Sequence, residues 1–278
     1  MRILVSGGKG FLGLHLQHSL SQISEEVFYL PSRTDLITEE MHTKINGIDQ
    51  VIEAVRNFQP EIVIHLAAFY NAKDDVSEFP RMIESNLTLG AAIMECLPQN
   101  SSFIYCGSYN QFESPTKKAI NFYSLSKKLF CEIAAYFSEK NNIKVTQLIL
   151  SDLYGPRDFR PKLIPALFSK LTLREAFIPV SPKGVLYPLY VDDAVSMITN
   201  LCLHPSTSLT RDIYLKPNAA ISVKNLIDYA NDTFLHKLVV SPQYSDFRIS
   251  IPKGFEIKAS DTSLELGLSK TWNSYHIL

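Results

Sequence analysis

Short apolar runs rich in branched and aromatic side chains recur through the first half of the chain, and segments with helical spacing separate them. The runs are residues 2–6, Val27 through Leu30, Ile62 through His65, Phe103 through Cys106, and Val145 through Leu150. Between them the spacing predicts helices from about Phe11 to Leu20 and near 49–58, 78–97 and 121–140. The runs are continuous rather than alternating, the pattern of strands buried on both faces of a parallel sheet. Right-handed crossovers then leave an α/β, doubly wound parallel sheet, the Rossmann plan.

Past Leu150 the rhythm changes. Prolines at 156, 161, 165, 179, 182 and 188 interrupt it. A helix is expected near 162–171, and a strand-helix unit over about 185–203 passes through Val191-Asp192-Asp193. A strand near 212–216 and a helix near 222–235 follow, and the last 40 or so residues give no clear pattern. The expected division is a Rossmann domain over 1–155 plus about 185–216, with a smaller C-terminal substrate lobe over about 156–184 and 217–278.

Composition narrows the class. Of 278 residues, 46% are apolar and 20% charged, enough for an ordinary core and too apolar for disorder. A net charge of −1 carries no electrostatic footprint for nucleic acid or an acidic membrane. Cys96, Cys106, Cys131 and Cys202 form neither a CxxC pair nor a His-Cys metal spacing, so no metal is expected and they read as thiols of a reducing compartment. The chain enters Ile3-Leu4-Val5 directly, with no cationic leader or long apolar run. No signal peptide or membrane span is expected, and the location is read as cytoplasmic.

Candidate chemistry begins after the first run, at Gly7-Gly8-Lys9-Gly10-Phe11-Leu12-Gly13. Glycines at 7, 10 and 13 permit a tight turn and let backbone N–H groups at a helix start reach a pyrophosphate. The second strand ends Tyr29-Leu30-Pro31-Ser32-Arg33, with no acid to bind ribose hydroxyls. Arg33 suits a 2′-phosphate, so NADP(H) is favoured over NAD(H). Tyr123 and Lys127 stand four apart, one turn apart on one helix face. The ammonium favours the phenolate, so this phenol can exchange a proton at a carbonyl carbon. Ser108, in Cys106-Gly107-Ser108-Tyr109-Asn110, follows the fourth run at the expected carboxyl edge, placed to hydrogen-bond the reacting oxygen.

With these motifs in order, the chain resembles the NAD(P)-dependent epimerase/dehydratase family, the extended short-chain dehydrogenases. Further matches are Ile64-His65-Leu66-Ala67-Ala68, Asn86 within Glu84-Ser85-Asn86-Leu87, Leu153-Tyr154-Gly155-Pro156-Arg157, and Tyr190-Val191-Asp192-Asp193. The resemblance implies Tyr123 as acid/base, and Lys127 tuning it and holding the nicotinamide ribose. It implies Ser108 on the substrate oxygen and Asn86 in a water or backbone relay. Leu66, Ala67, Ala68 and Leu153 would line the cofactor, and Asp192 and Asp193 would cap a helix and tie the lobes together. It also implies a homodimer through the helices near 78–97 and 121–140.

Departures from the family pattern narrow the activity. Sugar-nucleotide 4,6-dehydratases carry Thr-Asp-Glu where this chain has Ser108-Tyr109-Asn110, so the acid and base for water elimination are missing. Asp152 stands where many members have Asn, and Leu186 where many have Arg. The favoured activity is NADPH-dependent reduction of a nucleotide-linked 4-keto-6-deoxy sugar. Tyr109, Asn110, Asp152, Arg157 and Lys162 then face the substrate, with Arg160 beside them at the diphosphate. The alternative is a nucleotide-sugar epimerase holding NAD tightly, and a third reading is a non-catalytic NADP-binding sensor.

Overall fold

The computed structural model describes residues 1–31, 47–71, 73–112, 119–173, 177–178, 184–234, 239–240 and 255–275. The chain divides into two compact units. One comprises Met1–Ile149, Val195–Tyr214 and Ser250–Glu256; the other comprises Leu150–Ala194, Leu215–Ile249 and Ile257–Leu278.

The first unit alternates strand and helix: β1 (Arg2–Ser6), α1 (Phe11–Ile23), β2 (Glu26–Tyr29), α2 (Ile48–Phe58) and β3 (Ile62–His65). Next come α3 (Phe79–Ile83), a single π turn (Glu84–Thr88) and α4 (Leu89–Glu95). β4 (Ser102–Ser108), α5 (Phe122–Asn141) and β5 (Lys144–Leu150) complete the series. The remaining elements are β6 (Asp152–Tyr154), α6 (Leu163–Thr172), β7 (Phe177–Ile178), β8 (Val185–Leu186), β9 (Pro188–Tyr190) and α7 (Val191–Leu203). They continue with β10 (Thr210–Lys216), β11 (Ile221–Ser222), α8 (Val223–Phe234), β12 (Val239–Val240), β13 (Glu256–Ala259) and α9 (Leu264–Tyr275).

Seven strands form the main sheet in the order β13-β10-β5-β4-β3-β1-β2. β1 runs parallel to both β2 and β3, and β3 runs parallel to β4. The order reverses at β1, which makes the β1/β3 junction the switch point where doubly wound sheets bind ligands. Register aligns Ser6 with His65 and His65 with Tyr105. The glycine turn, residues 66–68 and Cys106–Ser108 therefore follow one another along a single carboxyl edge.

The continuous apolar runs are explained by burial on both faces: Ile3, Leu4 and Val5 are all fully buried. Leu4, Val63 and Phe103 pack under α2, α4 and α5 through Val55, Met94 and Phe130. In the second unit Tyr154, Phe168, Leu226 and Leu268 share a core. There Gly267 is required by close approach, since a Cβ would lie 2.1 Å from the Tyr154 hydroxyl.

Two elements differ from the sequence expectation. The helix expected near 78–97 is broken by the π turn, which adds a residue to one turn and shifts the side chain of Asn86 around the axis. β8 and β9 stand outside the main sheet: β8 pairs antiparallel with β11, and β9 pairs parallel with β6. Pro188, which has no N–H to donate, suits such a two-stranded edge better than a central strand.

His65 is a core residue of β3. Its Nδ1 lies 2.7 Å from the Ser6 hydroxyl, and burial, assisted by Lys127, holds its pKa down at about 3 against an ordinary 6.5. Below pH 6.5 the unfolded chain takes up a proton here that the native state refuses. Stability therefore falls on acidification through the window from 6.5 to about 3. The slope from this one group approaches about 1.4 kcal/mol per pH unit. Urea midpoints at pH 7 and 5 should show this loss, and His65→Gln should show a shallower one; equal slopes would contradict it.

Candidate active site

The glycine turn is built for close backbone approach. Gly7 has φ +75°, in the left-handed region, and a Cβ there would lie 2.5 Å from the Ala67 backbone nitrogen. Gly10 N–H donates to the Gly7 carbonyl at 2.9 Å. A Cβ on Gly13 would lie 2.5 Å from that carbonyl, so helix α1 can close on the turn only with glycine there. Helix α1 begins with no side-chain cap and no acid in its first turn. With neither present, the positive end of its dipole favours an external anion. This cradle fits the pyrophosphate of a dinucleotide. Leu66 N–H donates to the Ser6 carbonyl at 3.0 Å, which seats residues 66–68 beside it. Tyr29, at the end of β2, packs on Gly8: a Cβ there would meet its ring at 2.5 Å. Arg33 lies outside the described residues.

Helix α5 carries the tyrosine and the lysine. Its start is fixed twice, by Asn121 accepting from Ser124 N–H at 2.9 Å and by Asp74 accepting from Phe122 N–H at 2.8 Å. Phe122 also stacks on Phe79, with ring centroids 3.9 Å apart. Tyr123 is half-buried, and the Tyr70 ring meets it edge-on at 4.8 Å. One turn on, the buried Lys127 donates through Nζ to the Cys106 carbonyl at 3.0 Å, on the strand that ends at Ser108. Desolvation draws the Lys127 ammonium below its usual pKa.

Asn86, expected in a relay, is buried and fully hydrogen-bonded. Its Oδ1 accepts from Phe69 N–H at 2.7 Å, and its Nδ2 donates to the Phe69 carbonyl at 3.1 Å and the Ser126 hydroxyl at 2.9 Å. Ser126 in turn donates to the Tyr123 carbonyl at 2.7 Å. The π turn thereby ties the loop after β3 to the first turn of α5. Ser108 ends β4 and opens a short 3-10 turn, Tyr109–Gln111. Its hydroxyl accepts from Asn110 N–H at 3.3 Å, and its N–H donates to Gln111 Oε1 at 3.0 Å. Tyr109 is buried and Asn110 half-buried.

Of the expected substrate residues, Asp152, Arg157 and Lys162 belong to the second unit. Asp152 accepts from Tyr187 N–H at 2.8 Å, and Leu153 is buried. Arg160, expected beside the diphosphate, is already engaged within its own loop. It is held in a two-pronged pair with buried Asp158, both contacts at 2.7 Å, and also donates to the Leu153 carbonyl. Arg157 is exposed and adopts φ +58°. Lys162 is partly buried, its pKa lowered by desolvation and by Arg160. The buried Ser151 hydroxyl, just past β5, has no hydrogen-bond partner among the described residues. Asp193 binds Thr262 through its N–H and hydroxyl.

The contacts of Tyr29, Tyr70, Asp74 and Gln111 at the site are not among the sequence expectations. For Gln111 a signal existed: Ser108-Tyr109-Asn110-Gln111 has the S-x-x-Q form of a capping box. The others act across long sequence separations and left none.

Among the described residues no helix is long and apolar enough to cross a membrane, and no group of His, Cys, Asp or Glu is placed to hold a metal. The model of the NAD dependent epimerase/dehydratase family matches residues 3–215. CDP-abequose synthase of Yersinia pseudotuberculosis is 29% identical over 212 residues, covering 71% of this chain and 72% of that protein. Protein CapI of Staphylococcus aureus is 26% identical, with 74% and 71% covered. Among solved structures, UDP-glucose 4-epimerase of Thermotoga maritima, determined with UDP-glucose, superposes with a TM-score of 0.80 at 21% identity, over 100% of this chain and 99% of that one. The family match spans most of the chain and takes in the glycine cradle, Ser108, Tyr123 and Lys127: the chain belongs to the NAD dependent epimerase/dehydratase family, an NAD(P)-dependent oxidoreductase-type enzyme.

Proposed function

We propose that this enzyme reduces a nucleotide-linked 4-keto-6-deoxy sugar with NADPH, and one observation carries the reading. Ser108, Tyr123 and Lys127 supply a proton path, while positions 109 and 110 offer a buried tyrosine and an asparagine instead of the acid and base of an elimination. The similarity to CDP-abequose synthase supports a nucleotide-sugar substrate. The choice of NADPH rests on the missing acid after β2 and on Arg33 in the sequence.

Bound NADPH supplies the hydride for the keto carbon. Tyr123 gives its phenolic proton to the oxygen as the carbonyl becomes an alcohol. Ser108, whose hydroxyl oxygen already accepts from Asn110, turns its hydrogen to that oxygen and steadies the growing negative charge. Lys127 stabilises the phenolate left behind. Arg157 and Lys162 are assigned to the diphosphate.

The test is cofactor oxidation against CDP-, dTDP-, GDP- and UDP-linked 4-keto-6-deoxyhexoses, with NADPH and NADH in parallel. Turnover with NADPH preferred is expected. Silence with both cofactors would contradict the reading, and NAD retained through purification would favour the epimerase.

Two further assignments belong to the same reading. The four cysteines, all free thiols, support a cytoplasmic location. Exposed Leu125, Leu129 and Tyr136 on α5 and Ile83 on α3 support a homodimer. Sedimentation at micromolar protein should give twice the chain mass; a monomer would count against it.

A further inference from the structure

Gln111 is buried, and both ends of its amide are used. Oε1 accepts from Ser108 N–H at 3.0 Å, and Nε2 donates to the Cys131 sulfur at 3.3 Å. Cys131 lies on α5 one turn beyond Lys127, and its thiol donates to the Lys127 carbonyl at 3.4 Å. Gln147 on β5 donates to the same sulfur at 3.0 Å. Burial raises the Cys131 pKa, so it stays a thiol able both to accept and to donate. Gly107 makes room for the cluster: a Cβ there would lie 2.7 Å from Gln147 Nε2 and 3.1 Å from Gln111 Oε1.

We propose that Gln111 is a positioning residue, locking Ser108 at the end of β4 to the helix that carries Tyr123 and Lys127. The inference rests on the enzymatic reading above and deepens it. Ser108 and Tyr123 must address one oxygen, yet they stand on different elements. The Lys127–Cys106 bond joins those elements just before Ser108, and the Gln111–Cys131 bridge joins them just after it. Gln111 also fixes the Ser108 backbone while Asn110 occupies the hydroxyl oxygen, which together set where the hydroxyl hydrogen points.

The test compares Gln111→Met, Cys131→Ser and Tyr123→Phe in the full chain. The assay probe is whichever nucleotide-linked 4-keto sugar the wild type turns over fastest. Gln111→Met should lower kcat about 10- to 100-fold, the scale of an ångström-sized misplacement. KM and NADPH affinity should stay within about threefold, a split that general loss of structure would not produce. Cys131→Ser, whose hydroxyl keeps both hydrogen-bond roles, should stay near the wild type. Hydrogen exchange needs no substrate: the Ser108 amide should exchange about tenfold faster in Gln111→Met, with β1 unchanged. Unchanged exchange at Ser108, or unchanged kcat, would overturn the proposal. If Tyr123→Phe proved fully active the enzymatic reading would fail instead, and the exchange result would still decide whether Gln111 holds Ser108.

Discussion

Replacing Tyr123 with Phe should reduce kcat about 10²- to 10⁴-fold, the span that a positioned general acid contributes. The ring is retained, so its edge-on contact with Tyr70 and the fixing of α5 by Asn121 and Asp74 should persist. The melting temperature and NADPH affinity should therefore stay close to wild type. Only the dissociable proton is lost, and the sugar KM should change little, because the proton transfer is made in the transition state. Stopped-flow reduction of the best panel substrate separates this from a binding defect. A Phe variant with wild-type kcat would remove Tyr123 from the chemistry.

Gly10→Ala should raise the NADPH dissociation constant about 10- to 100-fold, or roughly 1.4–2.8 kcal/mol. Gly10 has φ −72°, which alanine adopts without strain. Among the described residues a Cβ there meets only the Gly7 carbonyl, at 3.1 Å, beside the uncapped start of α1. The pyrophosphate is expected at that position, so the fold should survive while the cofactor is displaced. Gly7→Ala behaves differently, because φ +75° and the Ala67 backbone at 2.5 Å penalise the native turn itself. Fluorescence titration and thermal melts separate the two. Undiminished affinity in Gly10→Ala would place the pyrophosphate elsewhere.

Much of the architecture was legible because it is carried by local pattern. Ile3-Leu4-Val5 and Ile62 through His65 are continuous apolar runs, and continuity is the mark of strands covered on both faces. The glycine turn was readable from its position between such a run and a helix. Less was legible where pairing is short or distant. β13 and α9 fall in the tail that gave no clear pattern; β13 is mostly exposed, and only part of α9 is buried. β9 carries a proline and pairs with β6 outside the main sheet, a partnership its apolar character does not announce.

The site shows the same division. Tyr123, Lys127 and Ser108 announce themselves by residue type and spacing. Their supports do not: Asp74 reaches across 48 positions to Phe122, and Asn86 across 40 to Ser126. Arg160 reads as a loose cation by charge alone, yet the neighbouring buried Asp158 pairs with its guanidinium. Such commitments follow from packing, which a linear reading does not contain.

A crystal structure with NADPH bound is the most direct measurement. Pyrophosphate is expected on the N–H groups that open α1, with the Tyr123 hydroxyl within about 2.6–3.2 Å of the nicotinamide ribose or of a bound substrate oxygen. A dinucleotide lodged away from Gly7–Gly13, or a Tyr123 hydroxyl turned off the carboxyl edge of the sheet, would contradict it.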